Sequence, residues 1–121
     1  MSSFTVPVFA QTTVATEVGP SIWLAPDNIS RVSVHCEHSA ITGTFTVETS
    51  NDPRARPGHP DYSSSVWEDD TASWGLTNPA GGAADFNMTF DNVNFEFVRI
   101  TYTDGGGGGT SLLMWVHCVG G

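Results

Sequence analysis

The fold class follows from residues 31–49, which read RVSVHCEHSAITGTFTVET. Apolar residues take every second position in two short runs, with polar residues between them: Val32, Val34 and Cys36, then Phe45 and Val47. A period of two is typical of half-buried strands, because successive side chains of a strand point to opposite faces. The stretch therefore predicts two amphipathic strands, and we expect them to pair as a hairpin.

The same alternation recurs at residues 86–90, and residues 95–103 and 112–119 predict two further strands with bulky or apolar residues on both faces. Less regular strands are expected within 12–24 and 66–69. Glycine and proline separate the segments, and no long window has the 3.6-residue apolar period of a helix. The sequence predicts an all-β protein, a two-sheet antiparallel sandwich or jelly roll of roughly six to eight strands.

The 121 residues match the length of one domain. We expect an N-terminal arm or leading segment over residues 1–11 and a single β-sandwich domain over 12–121. Such an arm can add a strand to a neighbouring sheet or lie on a larger surface. Residues 1–10 lack a basic region followed by an apolar one, so we expect no signal peptide and synthesis in the cytoplasm.

The charge balance is strongly acidic, with 13 acidic and 4 basic residues and a net charge of −9. The basic residues are all arginine: Arg31, Arg54, Arg56 and Arg99. Proteins that bind nucleic acid without sequence preference neutralise phosphates with many lysines and arginines. The composition therefore argues against a nucleic-acid partner, and equally against binding to an anionic membrane surface.

The two cysteines, Cys36 and Cys118, are too few for a disulfide scaffold. Neither has the neighbouring ligands that a zinc site requires. Both fall on core-facing positions of predicted strands, where buried free thiols are common. We expect free thiols, and a single disulfide between the two remains the alternative.

No group of residues has the spacing of a known catalytic motif. The acidic run at 68–70 favours a solvated loop over a weak cation site or a glycosidase pair, since adjacent strand residues face opposite ways. His35 and His117 could line up across the sheet as a metal pair or a pH-sensitive contact, or could simply be polar strand positions. We therefore predict a protein that is not an enzyme and needs no cofactor or metal.

The least regular segment, residues 50–84, holds the candidate contact residues. They are Arg54, Arg56, Tyr62, Trp67 and Trp74. Loop aromatics can stack on a sugar or anchor a protein interface, and they can also cap the end of a core. The two arginines can form a contact surface or lie in a plain exposed loop.

The order of several segments resembles a known family. Residues 42–52, TGTFTVETSND, precede Val66-Trp67, then FEFVRITYT at 95–103, a glycine-rich turn and a closing apolar strand. This order, over about residues 29–119, resembles the small β-sandwich structural proteins of tailed bacteriophages. Similar patterns also occur in discoidin-like carbohydrate-binding sandwiches.

The resemblance implies a virion component, most simply a capsid decoration (cement) protein that binds the phage major capsid protein or other virion proteins. It implies no enzyme, and by analogy a homo-oligomer such as a trimer. A carbohydrate-binding module or structural subunit of the tail or fibre is the alternative, with Tyr62, Trp67 or Trp74 as stacking platforms. Arg99 would point outward or into an interface, since an inward arginine needs a carboxylate partner.

Overall fold

A computed structural model describes residues 3–56, 58–60, 64–106 and 108–121. No helix among them is long and apolar enough to cross a membrane. The described residues form nine β-strands, a single-turn helix and three short 3₁₀ turns. The strands are β1 (Ser3–Gln11), β2 (Glu17–Val18), β3 (Ile22–Trp23), β4 (Ile29–His38), β5 (Gly43–Ser50), β6 (Glu68–Asp69), β7 (Ala84–Phe90), β8 (Phe97–Asp104) and β9 (Leu112–Gly120). The 3₁₀ turns are Ala25–Asp27, Pro53–Ala55 and Ser64–Val66, and the helix α1 is Thr71–Trp74.

The strands lie in two antiparallel sheets that pack face to face. The four-stranded sheet has the order β1-β9-β4-β7, and the five-stranded sheet has β8 between β5 and the short strands β2 and β3, with β6 beyond β5. Strands β2 and β3 pair with successive parts of β8 and so act as one interrupted strand. Most connections carry the chain from one sheet to the other. These crossings, together with the strand orders, are those of a jelly roll. The predicted all-β sandwich is confirmed.

The predicted hairpin between the strands we now label β4 and β5 is wrong. Strand β4 pairs with β7 and β9, whereas β5 pairs with β6 and β8 in the opposite sheet. Residues 39–42 carry the chain from one sheet to the other. The glycine-rich turn between β8 and β9 also joins the two sheets. A period of two identifies a strand but carries no information about its partner.

The expected N-terminal arm is an edge strand over the residues that the structure describes. Strand β1 pairs antiparallel with β9 from Ser3 to Gln11, so this part of the chain belongs to the sandwich. A β-bulge at Val8 inserts one extra residue between Pro7 and Phe9. The bulge shifts the alternation by one position, which hides the strand pattern from a search with a strict period of two.

The core lies between the two sheets. As the alternation predicted, the inward side chains of β4 and β9 are fully buried: Val32, Val34, Cys36, Leu112, Met114, Val116 and Cys118. Three aromatic rings lie together in this core. The centroids of Phe45 and Tyr102 are 5.5 Å apart, and Phe9 lies 6.4 Å from Phe45 and 6.5 Å from Tyr102. The Tyr102 hydroxyl donates to the Thr42 carbonyl at 2.8 Å, so this polar atom is satisfied.

Candidate functional site

Trp67 attaches a loop to the outer face of the five-stranded sheet. It is 9% exposed and packs with Ala55 and Phe97 in a small apolar cluster separate from the core. The Arg99 guanidinium lies 4.5 Å from the centroid of the Trp67 ring, and its Nε donates to Glu48 Oε1 at 2.9 Å. Arg99 therefore points outward from β8 and is held under the loop. A tryptophan covered in this way offers no stacking surface.

Trp74 closes one end of the core. It is 2% exposed, and its ring stacks on Phe90 at 4.4 Å between centroids. The single turn of α1 ends at Gly75, whose φ of 61° is in the left-handed region that favours glycine. The prediction that Trp67 and Trp74 are stacking platforms is wrong because both rings are buried, and Trp74 has the alternative role of a core cap.

The two loop arginines have local partners. Arg54 Nη2 donates to Asp52 Oδ2 at 2.7 Å, and the backbone N–H of Arg54 also donates to the Asp52 carboxylate. These two hydrogen bonds lower the pKa of Asp52 to about 2. The Arg56 guanidinium lies 4.2 Å from the ring centroid of Trp23, which is 37% exposed. A contact role for Arg54 and Arg56 stays a prediction. Tyr62 lies outside the described residues.

The two cysteines are free and buried. Cys36 lies opposite Met114, whereas Cys118 lies opposite Val32, so the cysteines are four residues apart along the paired strands. That offset is roughly 13 Å, beyond the roughly 7 Å between Cα atoms that a disulfide allows. The alternative of a disulfide is wrong, and the expected free thiols are observed. Burial raises the pKa of both thiols to about 12, so neither is a ready nucleophile.

The two strand histidines do not lie directly opposite each other. His35 is opposite Trp115, and His117 is opposite Ser33. The His117 Nδ1 atom instead forms a hydrogen bond of 2.8 Å with the Thr5 hydroxyl. Within the described ranges, no three metal-ligating side chains lie close enough to hold an ion.

No segment among the described residues covers the outer face of the four-stranded sheet, and we call it the open face. Each of its side chains is exposed or half-buried. The central strand β9 contributes a row of mainly apolar residues, and the neighbouring strands contribute mainly polar ones. The row is Leu113, Trp115, His117 and Val119, and the flanking side chains include Thr5, Pro7, Ser33, His35, Glu37, Asp85, Asn87 and Thr89.

Trp115 and His35 form the centre of the open face. Their rings stack with centroids 5.6 Å apart and planes 27° apart. His35 Nδ1 lies 2.7 Å from Asn87 Oδ1, and its Nε2 lies 3.4 Å from Glu37 Oε1. The hydrogen bond to Asn87, and then the contacts with Glu37, raise the pKa of His35 above its usual value. The centre is thus an aromatic surface with hydrogen-bonding groups along one side.

The sequence contained a signal for the open face that did not lead to Trp115 as a candidate. Strand β9 is apolar on both faces, with only His117 interrupting the outer one. Such a strand is typical of a sheet buried on both sides. In this sandwich only one side is buried, so the second apolar row is left at the surface.

Comparison with protein-family models, with curated proteins and with solved structures finds no match to this chain.

Proposed function

We propose that the chain is a non-enzymatic structural protein of a tailed-phage virion, most simply a head decoration protein, and that it docks through the open face. The observation that carries the docking role is the row of Leu113, Trp115 and Val119, half-buried on a face that no described segment covers. Protein interfaces place apolar and aromatic residues at the centre and polar groups at the rim. Tryptophan is also enriched among the residues that contribute most to binding.

The fold and the charge support this role. Jelly rolls recur in viral capsid and lectin domains, which is an argument by analogy of fold. A net charge of −9 keeps free subunits soluble before assembly. On a particle with many copies, contacts that are weak one by one retain a subunit firmly when it is held at more than one site.

Localisation on the particle tests this proposal. Gold-coupled antibodies against the purified protein would be applied to intact particles of the phage that encodes the chain. Label distributed over the head supports a decoration protein. Label at the tail assigns the chain to the tail or fibre, and unlabelled particles in a preparation that contains the phage contradict a virion role.

Sugar binding is a second candidate function, and the surroundings of Trp115 favour it. The ring stacks on His35, whose own partners are Asn87 on β7 and Glu37 on β4. An aromatic ring beside hydrogen-bonding groups suits a sugar, which has an apolar face and a rim of hydroxyls. A glycan array, probed with and without calcium, tests this candidate. Binding that disappears in Trp115→Ala would support it, and a blank array in both conditions would count against it.

A further inference from the structure

Strand β7 has a free hydrogen-bonding edge. Along its whole length it pairs with β4, from the pair Ala84–His38 at one end to the pair Phe90–Val32 at the other. It pairs with no other strand among the described residues. Within the part of the chain that the structure describes, no hydrogen bond outside that ladder involves the backbone of residues 84–90. One side of this seven-residue strand therefore presents unpaired N–H and C=O groups, which are a template for another strand.

The other sheet edges are protected or short. Strand β1 has Pro7, which lacks an N–H, and the β-bulge at Val8. Proline and bulges are two of the features that prevent unwanted pairing at an edge. In the five-stranded sheet, the edge strands β2, β3 and β6 have two residues each. Among the described edge strands, β7 combines length with the absence of proline and of a bulge.

We propose that β7 pairs antiparallel with β7 of a second copy of this chain, centred on Asn87. In that register Phe86 lies opposite the second copy's Met88, and Ala84 lies opposite its Phe90. Phe86, Met88 and Phe90 are half-buried residues packed against the core. Pairing therefore covers apolar side chains at the open edge of the core as well as backbone groups.

The polar side of β7 is also compatible with itself in this register. Asn87 lies opposite the second copy's Asn87, and stacked amides can hydrogen-bond to each other. Asp85 lies opposite the second copy's Thr89, so no two carboxylates face each other directly. The strand is therefore complementary to a second copy of itself. An isologous interface requires this, because both copies contribute the same surface.

The pairing extends the proposed docking surface without depending on it. Two four-stranded sheets would join into one continuous eight-stranded sheet around a two-fold axis perpendicular to it. The open faces of both copies, each with its Trp115, would then point to the same side. The net charge of −9 on each copy opposes association, so we expect pairing to strengthen as salt concentration rises.

Two substitutions at one exposed position test the register. Thr89→Glu places a carboxylate opposite the second copy's Asp85, and Thr89→Lys places an ammonium there. Both lose the hydrogen bond between Thr89 and Ser33, so they differ chiefly in charge. Sedimentation equilibrium should show a dimer whose dissociation constant rises roughly tenfold in Thr89→Glu and falls in Thr89→Lys. Thr5→Glu, at the opposite edge of the sheet, is the control and should leave the constant unchanged.

Crosslinking gives a second test of the centre. Asn87→Cys should form a disulfide-linked dimer in oxidised glutathione, since the two thiols face each other across the pairing. Asp85→Cys should not, because residue 85 and its copy are four residues apart along the strands, roughly 13 Å. A chain that is monomeric or trimeric at all concentrations, equal effects of Thr89→Glu and Thr89→Lys, or equal crosslinking of both cysteine variants would overturn the proposal.

Discussion

At the scale of single residues, burial decides which of the chemically active side chains can act. Cys36 and Cys118 have no exposed surface in this fold. Burial favours the neutral thiol, which is why the pKa of both is about 12. Their role is to fill the core, as expected from their positions on the apolar side of two strands.

The folded protein should be inert to thiol reagents. We expect no reaction of native protein with Ellman's reagent, and two titrated thiols per chain after denaturation in urea. The physical reason is that neither the reagent nor a thiolate is available in the core. A rapid reaction of either cysteine in the native protein would contradict the observed burial.

The surroundings of His35 predict its titration. Its pKa is raised in the folded protein, mainly by the hydrogen bond to Asn87 and then by Glu37. The protonated imidazole therefore adds stability that is fully present below the unfolded value near 6.5 and is lost as pH rises through the folded pKa. An NMR titration should place the midpoint above 6.5, and Glu37→Gln should lower it. A midpoint at or below 6.5 in the unchanged protein would contradict the arrangement.

The tryptophans illustrate what sequence could predict at this scale. Trp67 and Trp74 stood in loop-rich sequence, and such positions can be either exposed or buried. Their burial depends on Phe97 and Phe90, which are distant in sequence and come close only in the folded sandwich. Trp115 is on the second apolar face of its strand, and its exposure depended on whether another layer covers that side.

At the scale of elements, sequence alternation predicted strands well and their partners poorly. Strands β4, β5, β7, β8 and β9 were expected within a few residues of their observed limits. The wrong hairpin and the missed β1 have a common cause, since pairing is settled by contacts between distant segments. A bulge or a crossing between sheets leaves little trace in local sequence.

The crossing between β8 and β9 contains a glycine with a packing role. A Cβ at Gly109 would overlap the Cγ2 methyl of Ile41, which is 1% exposed. We expect Gly109→Ala to lower the free energy of unfolding by about 1–3 kcal/mol through overpacking. Urea unfolding would measure the change. Gly82→Ala is the matched control, because nothing lies within 4 Å of its added Cβ and its stability should stay within about 0.5 kcal/mol. Equal stability of the two variants would contradict the close approach at Gly109.

At the scale of the whole molecule, the two outer faces of the sandwich differ. On the five-stranded sheet, the loop anchored by Trp67 covers Phe97 and Arg99. On the four-stranded sheet, none of the segments that the structure describes covers the row through Trp115. The molecule therefore has one side that is suited to lie against a larger surface, and the proposed function depends on that side.

The most direct test is the binding of purified protein to phage heads that lack it. Binding of the unchanged chain, of Trp115→Ala and of Trp23→Ala would be compared by co-sedimentation. Trp23 is the control because it is a surface tryptophan, 37% exposed, that lies in the other sheet. We expect Trp115→Ala to weaken binding by roughly thirtyfold, as for a central interface residue, and Trp23→Ala to bind like the unchanged chain. Undiminished binding of Trp115→Ala, or no binding by the unchanged chain, would contradict docking through the open face.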